Sequence, residues 1–415
     1  MATVAIIATC DTKLQEILFL RDRIRSSNKV TTILIDVGRN PVSNDAIDIS
    51  QEHLLSKHGG GQDVSQLPRA EVIELMSRCA SDAVKNLFEQ GVIDGIVAAG
   101  GSGGTTLASA IMRQVLPIGF PKLIVSTMAS GDTGPIIGET DITLMYSVVD
   151  VAGLNQILRD ILTNAGAAIA GAALSFAERR CSEKRAPAQA TKRVAISMFG
   201  VTTPGVDAIR NHLESKYPIE TLVFHATGHG GKAMERLIQN GTIDAVVDLT
   251  TSEICDHLVG GQLSAGEQRL DAAVQAGIPN LVSLGAAEFA NFGPLDSVPE
   301  NFKSRLLHKH NSNVTLLRLS SYESEQVGNF ICNKLLKSKR PNMVQIWVPK
   351  GGLSMLSVPG APFADKDADE ALFNAIRKGL DGSGIEVIED ERDVNDQGFA
   401  RDIAEAVATK IGLRG

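Results

Sequence analysis

Gly91-Val-Ile-Asp-Gly-Ile-Val-Ala-Ala-Gly-Gly-Ser-Gly-Gly-Thr-Thr106 is the stretch whose reading decides the fold. Its first part, Ile93–Ala98, is a continuous apolar run of the kind that forms a strand buried on both faces. Its second part places four glycines within positions 100–104, and a periodic helical segment, Thr105–Gln114, follows directly. Strand, glycine turn and helix in that order are one step of an α/β chain, and α/β sheets hold ligands at the loops beyond their strands. Glycine lets the backbone approach a ligand closely, Ser102, Thr105 and Thr106 add hydroxyls, and the helix N-terminus favours negative charge. Gly100–Thr106 therefore reads as a phosphate cradle. No Gly-Lys-Ser/Thr closes it, which excludes a Walker A loop. Gly100-x-Ser102-x-Gly104 also has the form of a nucleophile elbow. None of His225, His229, His257, His308 or His310 stands at a spacing that would single it out as the partner base.

The same alternation extends in both directions. Val4–Ala8, Thr31–Asp36 and Leu123–Thr127 read as strands; Lys13–Arg25, Arg69–Gln90 and Ala152–Arg179 read as helices. From Arg179 to Arg193 the chain is polar, basic and without periodicity, so 183–192 reads as a linker. Beyond it come strand-like runs at Val194–Met198, Thr221–Phe224, Ala245–Leu249, Leu281–Leu284, Val314–Leu317 and Gln345–Val348. Three phrases recur in the same order across the linker. Thr3-Val-Ala-Ile-Ile-Ala-Thr9 is echoed by Arg193-Val-Ala-Ile-Ser-Met-Phe199, and Gly91-Val-Ile-Asp-Gly-Ile-Val97 by Gly241-Thr-Ile-Asp-Ala-Val-Val247. The third pair is Gly119-Phe-Pro-Lys-Leu-Ile-Val125 and Gly277-Ile-Pro-Asn-Leu-Val-Ser283. The expected architecture is α/β: two Rossmann-like doubly wound parallel-sheet domains, 1–182 and 193–415, that point to a duplicated unit.

Composition narrows the function. The 415 residues carry a net charge of −8, against the basic field expected of a nucleic-acid binder. The most apolar stretch, Ala165–Phe176, falls short of the ~20 residues that span a bilayer, and reads as a buried helix. The N-terminus has no signal-peptide pattern. Cys10, Cys79, Cys181, Cys255 and Cys332 are far apart with no CxxC spacing, which argues against a disulfide framework or zinc knuckle. A cytoplasmic protein acting on a small molecule, away from nucleic acid and membrane, is expected.

Further loops at strand ends carry candidate chemistry. Thr9, Asp11, Thr12 and Lys13 follow the first strand with hydroxyls, an acid and a cation; Asp11 or Thr12 would serve equally as a helix cap, and Cys10 reads as packing. Ser126–Thr133 supplies two serines and Asp132, which with Asp141 offers hard carboxylate oxygens to magnesium. In the second half, Gly228-His-Gly-Gly-Lys-Ala233 has the form GxGxxA, with Asp248 twenty residues beyond Gly228. That is the spacing of a dinucleotide fingerprint and keeps an NAD-type oxidoreductase open; an anion loop with Lys232 as its charge is the broader reading. Asp248–Glu253 places hydroxyls and two acids at a strand end, and Asn291-Phe-Gly293 lies near His308-Lys-His-Asn311. On an extended segment His308 and His310 point the same way and suit metal binding or acid–base work.

Together, Ala8-Thr-Cys-Asp-Thr-Lys13, Gly100-Gly-Ser-Gly-Gly-Thr105, Ser126-Thr-Met-Ala-Ser-Gly-Asp-Thr133, Phe224–Leu237, Asn291-Phe-Gly-Pro294 and His308–Asn311 resemble the tomato mosaic virus resistance protein ATP-binding domain family. The resemblance spans nearly the whole chain with the motifs in the same order. It implies two Rossmann-like subdomains, ATP with Mg²⁺ as ligand, and a tendency to form a homodimer. The plant member's region binds a viral replication protein and continues into a TIM-barrel domain; this chain ends at Gly415 and resembles the stand-alone form. The nucleotide positions implied are Thr9, Cys10, Asp11, Thr12 and Lys13; Gly100, Gly101, Ser102, Gly103, Gly104 and Thr105; and Ser126, Thr127, Met128, Ala129, Ser130 and Gly131, with Asp132 on the metal. In the expected arrangement, ATP on the first domain faces Lys232, Ser252, Glu253, His308 and His310 across an interdomain cleft. Lys232, Glu253, His308 and His310 are the candidate catalytic set for an ATP-dependent enzyme acting on a small anionic metabolite by phosphoryl transfer or acyl-phosphate activation. The alternative is a non-catalytic nucleotide-binding regulatory module.

Overall fold

The apolar runs become strands, as their lack of a polar face requires. The computed structural model describes residues 1–26, 28–183 and 191–413, so residues 184–190 of the expected linker lie outside the described residues. The chain divides into two compact units, Met1–Ala188 and Gln189–Gly415.

Unit one runs β1 (Ala2–Ala8), α1 (Cys10–Arg25), β2 (Val30–Asp36), α2 (Gln51–His58), α3 (Arg69–Glu89) and β3 (Gly95–Gly100). It continues with α4 (Ser102–Val115), β4 (Lys122–Ser126), α5 (Gly134–Ile137), β5 (Thr143–Tyr146) and α6 (Gln156–Glu183). Its strands form one parallel sheet in the order β2-β1-β3-β4-β5. Side chains alternate across it as the pleat dictates. Ala5 and Ile7 of β1 join a core with Leu54, Met76 and Leu107 from α2, α3 and α4. Val4 and Ile6 join the opposite core with Ile17, Leu20 and Leu162 from α1 and α6. The stretch Ala165–Phe176 lies inside α6, and Gln156–Ser182 is long and apolar enough to cross a membrane by length and composition. Here its Leu158, Leu162, Ala165, Ile169 and Ala173 are buried in that second core. α1 and α6 touch at Gly166, where a Cβ would stand 2.7 Å from the Arg23 Cβ.

Unit two runs β6 (Lys192–Met198), α7 (Thr203–Lys216), β7 (Ile219–His225), α8 (His229–Gln239), β8 (Ala245–Thr250), α9 (Ser252–Val259) and α10 (Asp271–Ala276). β9 (Asn280–Gly285), β10 (Phe289–Phe292), β11 (Leu307–Lys309), β12 (Thr315–Arg318) and α11 (Ser321–Leu335) follow. β13 (Val344–Pro349), α12 (Lys366–Leu380), β14 (Glu386–Asp390) and α13 (Gln397–Lys410) complete it. Six strands form a parallel sheet, β14-β13-β9-β8-β6-β7. The echoed phrases occupy matching places: β1 and β6, β3 and β8, and β4 and β9 sit at the same positions of the two strand orders. Trp347 on β13 meets Phe399 of α13 edge-on at 5.8 Å between ring centroids.

One strand differs from expectation. Val314–Leu317 reads as part of the parallel sheet, but β12 belongs to a separate antiparallel sheet, β10-β12-β11. After β9 the chain turns at once through Ala286, whose φ is +54°, and β10 runs back to pair Phe289 with Arg318.

Candidate functional site

In unit one the chain leaves β1 toward β2 on one side and β3 toward β4 on the other, so the strand order reverses between β1 and β3. Such a switch point leaves a crevice beyond the strand ends. It holds a cavity of about 900 Å³. Thr9, Asp11, Thr12 and Lys13 line it from the end of β1, Gly101, Ser102, Gly103 and Gly104 from the end of β3, and Thr127 from the end of β4. The starts of α1 and α4 thus both face this space, and the start of α3 joins them through Arg69.

No residue of the glycine loop needs a left-handed backbone. The glycines serve close approach. Gly101 is the N-cap of α4, so the N–H groups of Ser102, Gly103 and Gly104 make up the first turn, which has no helical carbonyl to bond. A Cβ on Gly104 would meet nothing within 4 Å, whereas one on Gly103 would lie 2.8 Å from Nη2 of Arg69. Thr105 turns inward: it is buried, with Oγ1 2.7 Å from Oγ of Ser126, and the pair braces the β3 and β4 loops. Neither hydroxyl lines the cavity, which moves Thr105 and Ser126 from ligand contact to support.

In the first loop, Lys13 Nζ donates to the Val151 carbonyl at 2.6 Å, and Glu16 accepts from the Gly153 N–H at 2.5 Å. Asp11 Oδ2 accepts from the N–H groups of Arg39 and Asn40 at 3.1 and 3.2 Å. Cys10 lies in the core beneath, its N–H donating to Asp36 Oδ1 at 3.0 Å, and burial together with Asp36 raises its thiol far above the usual range. The resemblance places Cys10 on the nucleotide; the geometry makes it packing.

In the third loop, Thr127 reaches the cavity, while Met128, Ala129, Ser130, Gly131 and Asp132 lie outside its lining. Asp132 Oδ1 accepts from the Gly134 N–H at 3.0 Å, a turn-capping contact. Asp141 precedes β5 and so sits at the N-terminal edge of a parallel sheet, bonded to Lys122 Nζ at 2.6 Å, at the far end from the crevice. Among the described residues, no group of three or more His, Cys, Asp or Glu is placed to hold a metal ion. The cavity also takes walls that the strand-end reading does not name: Arg39 and Asn40 after β2, Arg69 on α3, Tyr146 at the end of β5, and Val148 and Asp150 after it. Val148 is 59% exposed and holds φ at +61°, a strained conformation for a β-branched residue.

In unit two the glycine loop follows the edge strand β7, and it faces inward. Gly228 caps α8 with φ +84°, and the N–H groups of Gly228 and Gly231 donate to Glu253 Oε1 at 2.6 and 3.0 Å. The other oxygen of Glu253 accepts from Arg269 Nε at 2.8 Å. Glu253 is wholly buried with both oxygens engaged, so the proposed catalytic acid is instead the internal anion of its own glycine loop. Asp248, read as the ribose partner of a dinucleotide, is 1% exposed; it forms two 2.5 Å bonds to the Arg269 guanidinium and accepts from Ser197 at 2.6 Å. That removes the dinucleotide reading of this loop. Ser252 is buried as well. Lys232 is exposed on α8, His308 sits on β11 against the edge of Phe363 at 5.9 Å, and His310 is exposed just beyond β11.

A parallel sheet with a glycine loop and three helix starts around its switch-point crevice defines a Rossmann-like α/β protein. The comparisons with known proteins identify the family. The N-terminal domain of "Uncharacterised protein family (UPF0261)" matches residues 2–178 and its C-terminal domain residues 191–411, and the chain belongs to this family. A UPF0261 protein of Clostridium tetani is 40% identical over 399 residues, covering 96% of each chain. The ToMV resistance protein Tm-1(GCR237) of Solanum lycopersicum is 37% identical over 393 residues, 91% of this chain and 51% of that protein. Among solved structures, UDP-N-acetylglucosamine 2-epimerase from Rickettsia bellii covers 68% of this chain and 78% of its own at 11% identity, with a TM-score of 0.23, too distant to carry an argument.

Proposed function

We propose that unit one binds Mg·ATP in the β1/β3 crevice. The observation that carries this reading is the cavity itself: about 900 Å³, within the range of small-molecule sites, with the first-turn amides of α4 open to it at Ser102–Gly104. Backbone N–H groups at a helix start, next to a second helix start at Thr9–Lys13, suit a phosphate chain. Val72, Ile73 and Leu107 provide an apolar wall for the rest of a nucleotide.

The donor set suits magnesium. Asp150 is an exposed carboxylate at the cavity wall, and Thr12 and Ser102 supply hydroxyl oxygens. Asp11 accepts the backbone N–H groups on Oδ2, and Asp150 is the carboxylate proposed to share the ion with phosphate oxygens. When bound, Mg²⁺ would neutralise phosphate charge; Asp150 in place of Asp132 is the ligand proposed.

This reading favours binding over turnover. Glu253, the acid of the candidate catalytic set, is bonded into its own unit and has no open oxygen for a substrate. Isothermal titration of the whole chain with Mg·ATP tests the proposal. Saturable binding is expected in the wild type and its loss in Gly103→Val, whose side chain enters the space held by Arg69. Folded wild-type protein that gives no binding heat at millimolar nucleotide would refute it.

A further inference from the structure

We propose that the connection from β13 to α12, residues 350–365, is a lid over the strand ends of unit two, latched shut by Glu288 and released when that carboxyl loses its proton. The inference is independent of the nucleotide reading, which concerns unit one. The connection contains no helix or strand, and it exceeds the about 12–15 residues beyond which such segments are uncommon unless they serve a function. It reaches over the sheet to strand ends far off in sequence. The Leu353 carbonyl accepts from the Ala286 N–H just after β9 at 2.7 Å, and the Met355 N–H donates to the Val201 carbonyl after β6 at 3.2 Å. Beyond such strand ends a parallel sheet holds its ligands. Arg318 ties down the far end of the connection, donating from Nε to the Phe363 carbonyl at 2.8 Å and from Nη2 to the Asp365 carbonyl at 3.2 Å. Gly352 and Gly360, with φ at +149° and +87°, flank the part that lifts and give it a pivot on each side.

The latch is a chain of hydrogen bonds. The Leu356 N–H donates to Ser354 Oγ at 3.0 Å, and the Ser354 hydroxyl donates to Glu288 Oε1. Ser354 and Glu288 are wholly buried, and Glu288 Oε2 has no partner among the described residues. The groups that face this carboxyl are Arg318 of β12, Asp369 of α12 and Cys255 of α9. Arg318 is already spent on the carbonyls of Glu288, Phe363 and Asp365 and on Asp369 Oδ1. Asp369 opposes the charge, and the Cys255 thiol, pushed up by its own burial, supplies none. Burial accordingly raises Glu288 to about 7. A neutral carboxyl fits this closed interior, whereas an ionised one leaves a charged oxygen without a donor. Lifting residues 353–359 lets water reach Oε2 and returns Glu288 to its ordinary value of about 4. Closure thus holds a proton that opening releases, so the lid opens more readily as pH rises from about 4 to about 7 and levels off above that.

The test digests the whole folded chain with a nonspecific protease at pH 5, 7 and 8 and maps the cuts by mass spectrometry. A synthetic peptide of residues 350–365, cut in the same buffers, corrects for the protease's own pH dependence. Where reclosing outpaces cutting, the corrected rate follows the open fraction. In wild type it is expected to rise by about 40-fold from pH 5 to 7 and by under about twofold more at pH 8, with the first cuts inside 350–365. Glu288→Gln, neutral throughout, is expected to stay flat within about twofold. Ser354→Ala, which opens the latch from the lid side, is expected to be cut faster than wild type at pH 5. A wild-type rate that is flat over this range overturns the proposal, and so does a rise that Glu288→Gln retains. First cuts outside 350–365 overturn it as well, because they report opening elsewhere. Should Glu288→Gln fail to fold, Ser354→Ala decides: a rate equal to wild type at pH 5 refutes the latch, and a faster one upholds it.

Discussion

The two glycine loops make the sharpest contrast in the molecule. The first follows β3, beside the switch point of its sheet, the second follows β7, the edge strand that holds the place of β2, and both open a helix. In unit one the loop faces a cavity, and Arg69 lies against Gly103 at its wall. In unit two the loop amides meet Glu253, and Arg269, fully buried, gathers Glu253, Asp248 and Glu235 behind it. Phe199, Val201, Phe289, Leu316 and Phe363 pack together at the ends of that sheet's strands. A glycine-rich strand–helix turn thus supplies anion-binding amides, and residues far off in the chain decide whether the anion is a ligand or a side chain.

The largest expected effect breaks the internal side of this contrast. Arg269→Ala strands three buried carboxylates and should cost about 3–5 kcal/mol, seen in urea denaturation followed by far-ultraviolet circular dichroism. A loss under about 1 kcal/mol would mean the network is not what fills the loop. Next comes pH. Burial raises Asp256 to about 7 against the opposing hydrogen bonds from Asn291, and burial raises Glu288 to about 7 against Ser354. In the unfolded chain both ionise near about 4, so between the two values the folded state holds protons that the unfolded state has lost. Stability should therefore fall as pH rises from about 4 to about 7, by at most about 1.4 kcal/mol per pH unit for each group. Urea midpoints at pH 5 and 7 should show this slope in wild type and lose most of it in Asp256→Asn/Glu288→Gln. The smallest effect concerns the open crevice. Val148→Gly relieves the left-handed strain at its wall, and after the entropy cost of glycine should raise stability by up to about 1 kcal/mol. An unchanged or lower midpoint would show that Val148 packs more than it strains.

The sheets and the glycine loop are legible because they rest on local pattern. Apolar runs with no polar face, such as Ile93–Ala98, have few other places to go. The parts that are not legible depend on distant partners. β5, four residues long and half-exposed, and β14, Glu-Val-Ile-Glu-Asp, have no run of apolar residues to announce them. Thr9, Asp11, Thr12, Lys13, Gly101–Gly104 and Thr127 come to the cavity because they follow strands, the same logic by which they can be named from sequence. Arg69 and Asp150 come from a helix start and a loop whose nearness to the glycines only the fold provides. Glu253 looks like a candidate acid for the same reason: its contact with Gly228 spans 25 residues, and its contact with Arg269 spans 16.

The edge-on pair of Trp347 and Phe399 has a practical consequence. The chain contains one tryptophan, and it lies buried in unit two. Emission excited at the red edge of protein absorption therefore reports the environment of unit two alone, while the amide signal sums both units. A mixed unfolding curve can thus be separated into its two contributions with the unaltered chain, without a label or an added chromophore.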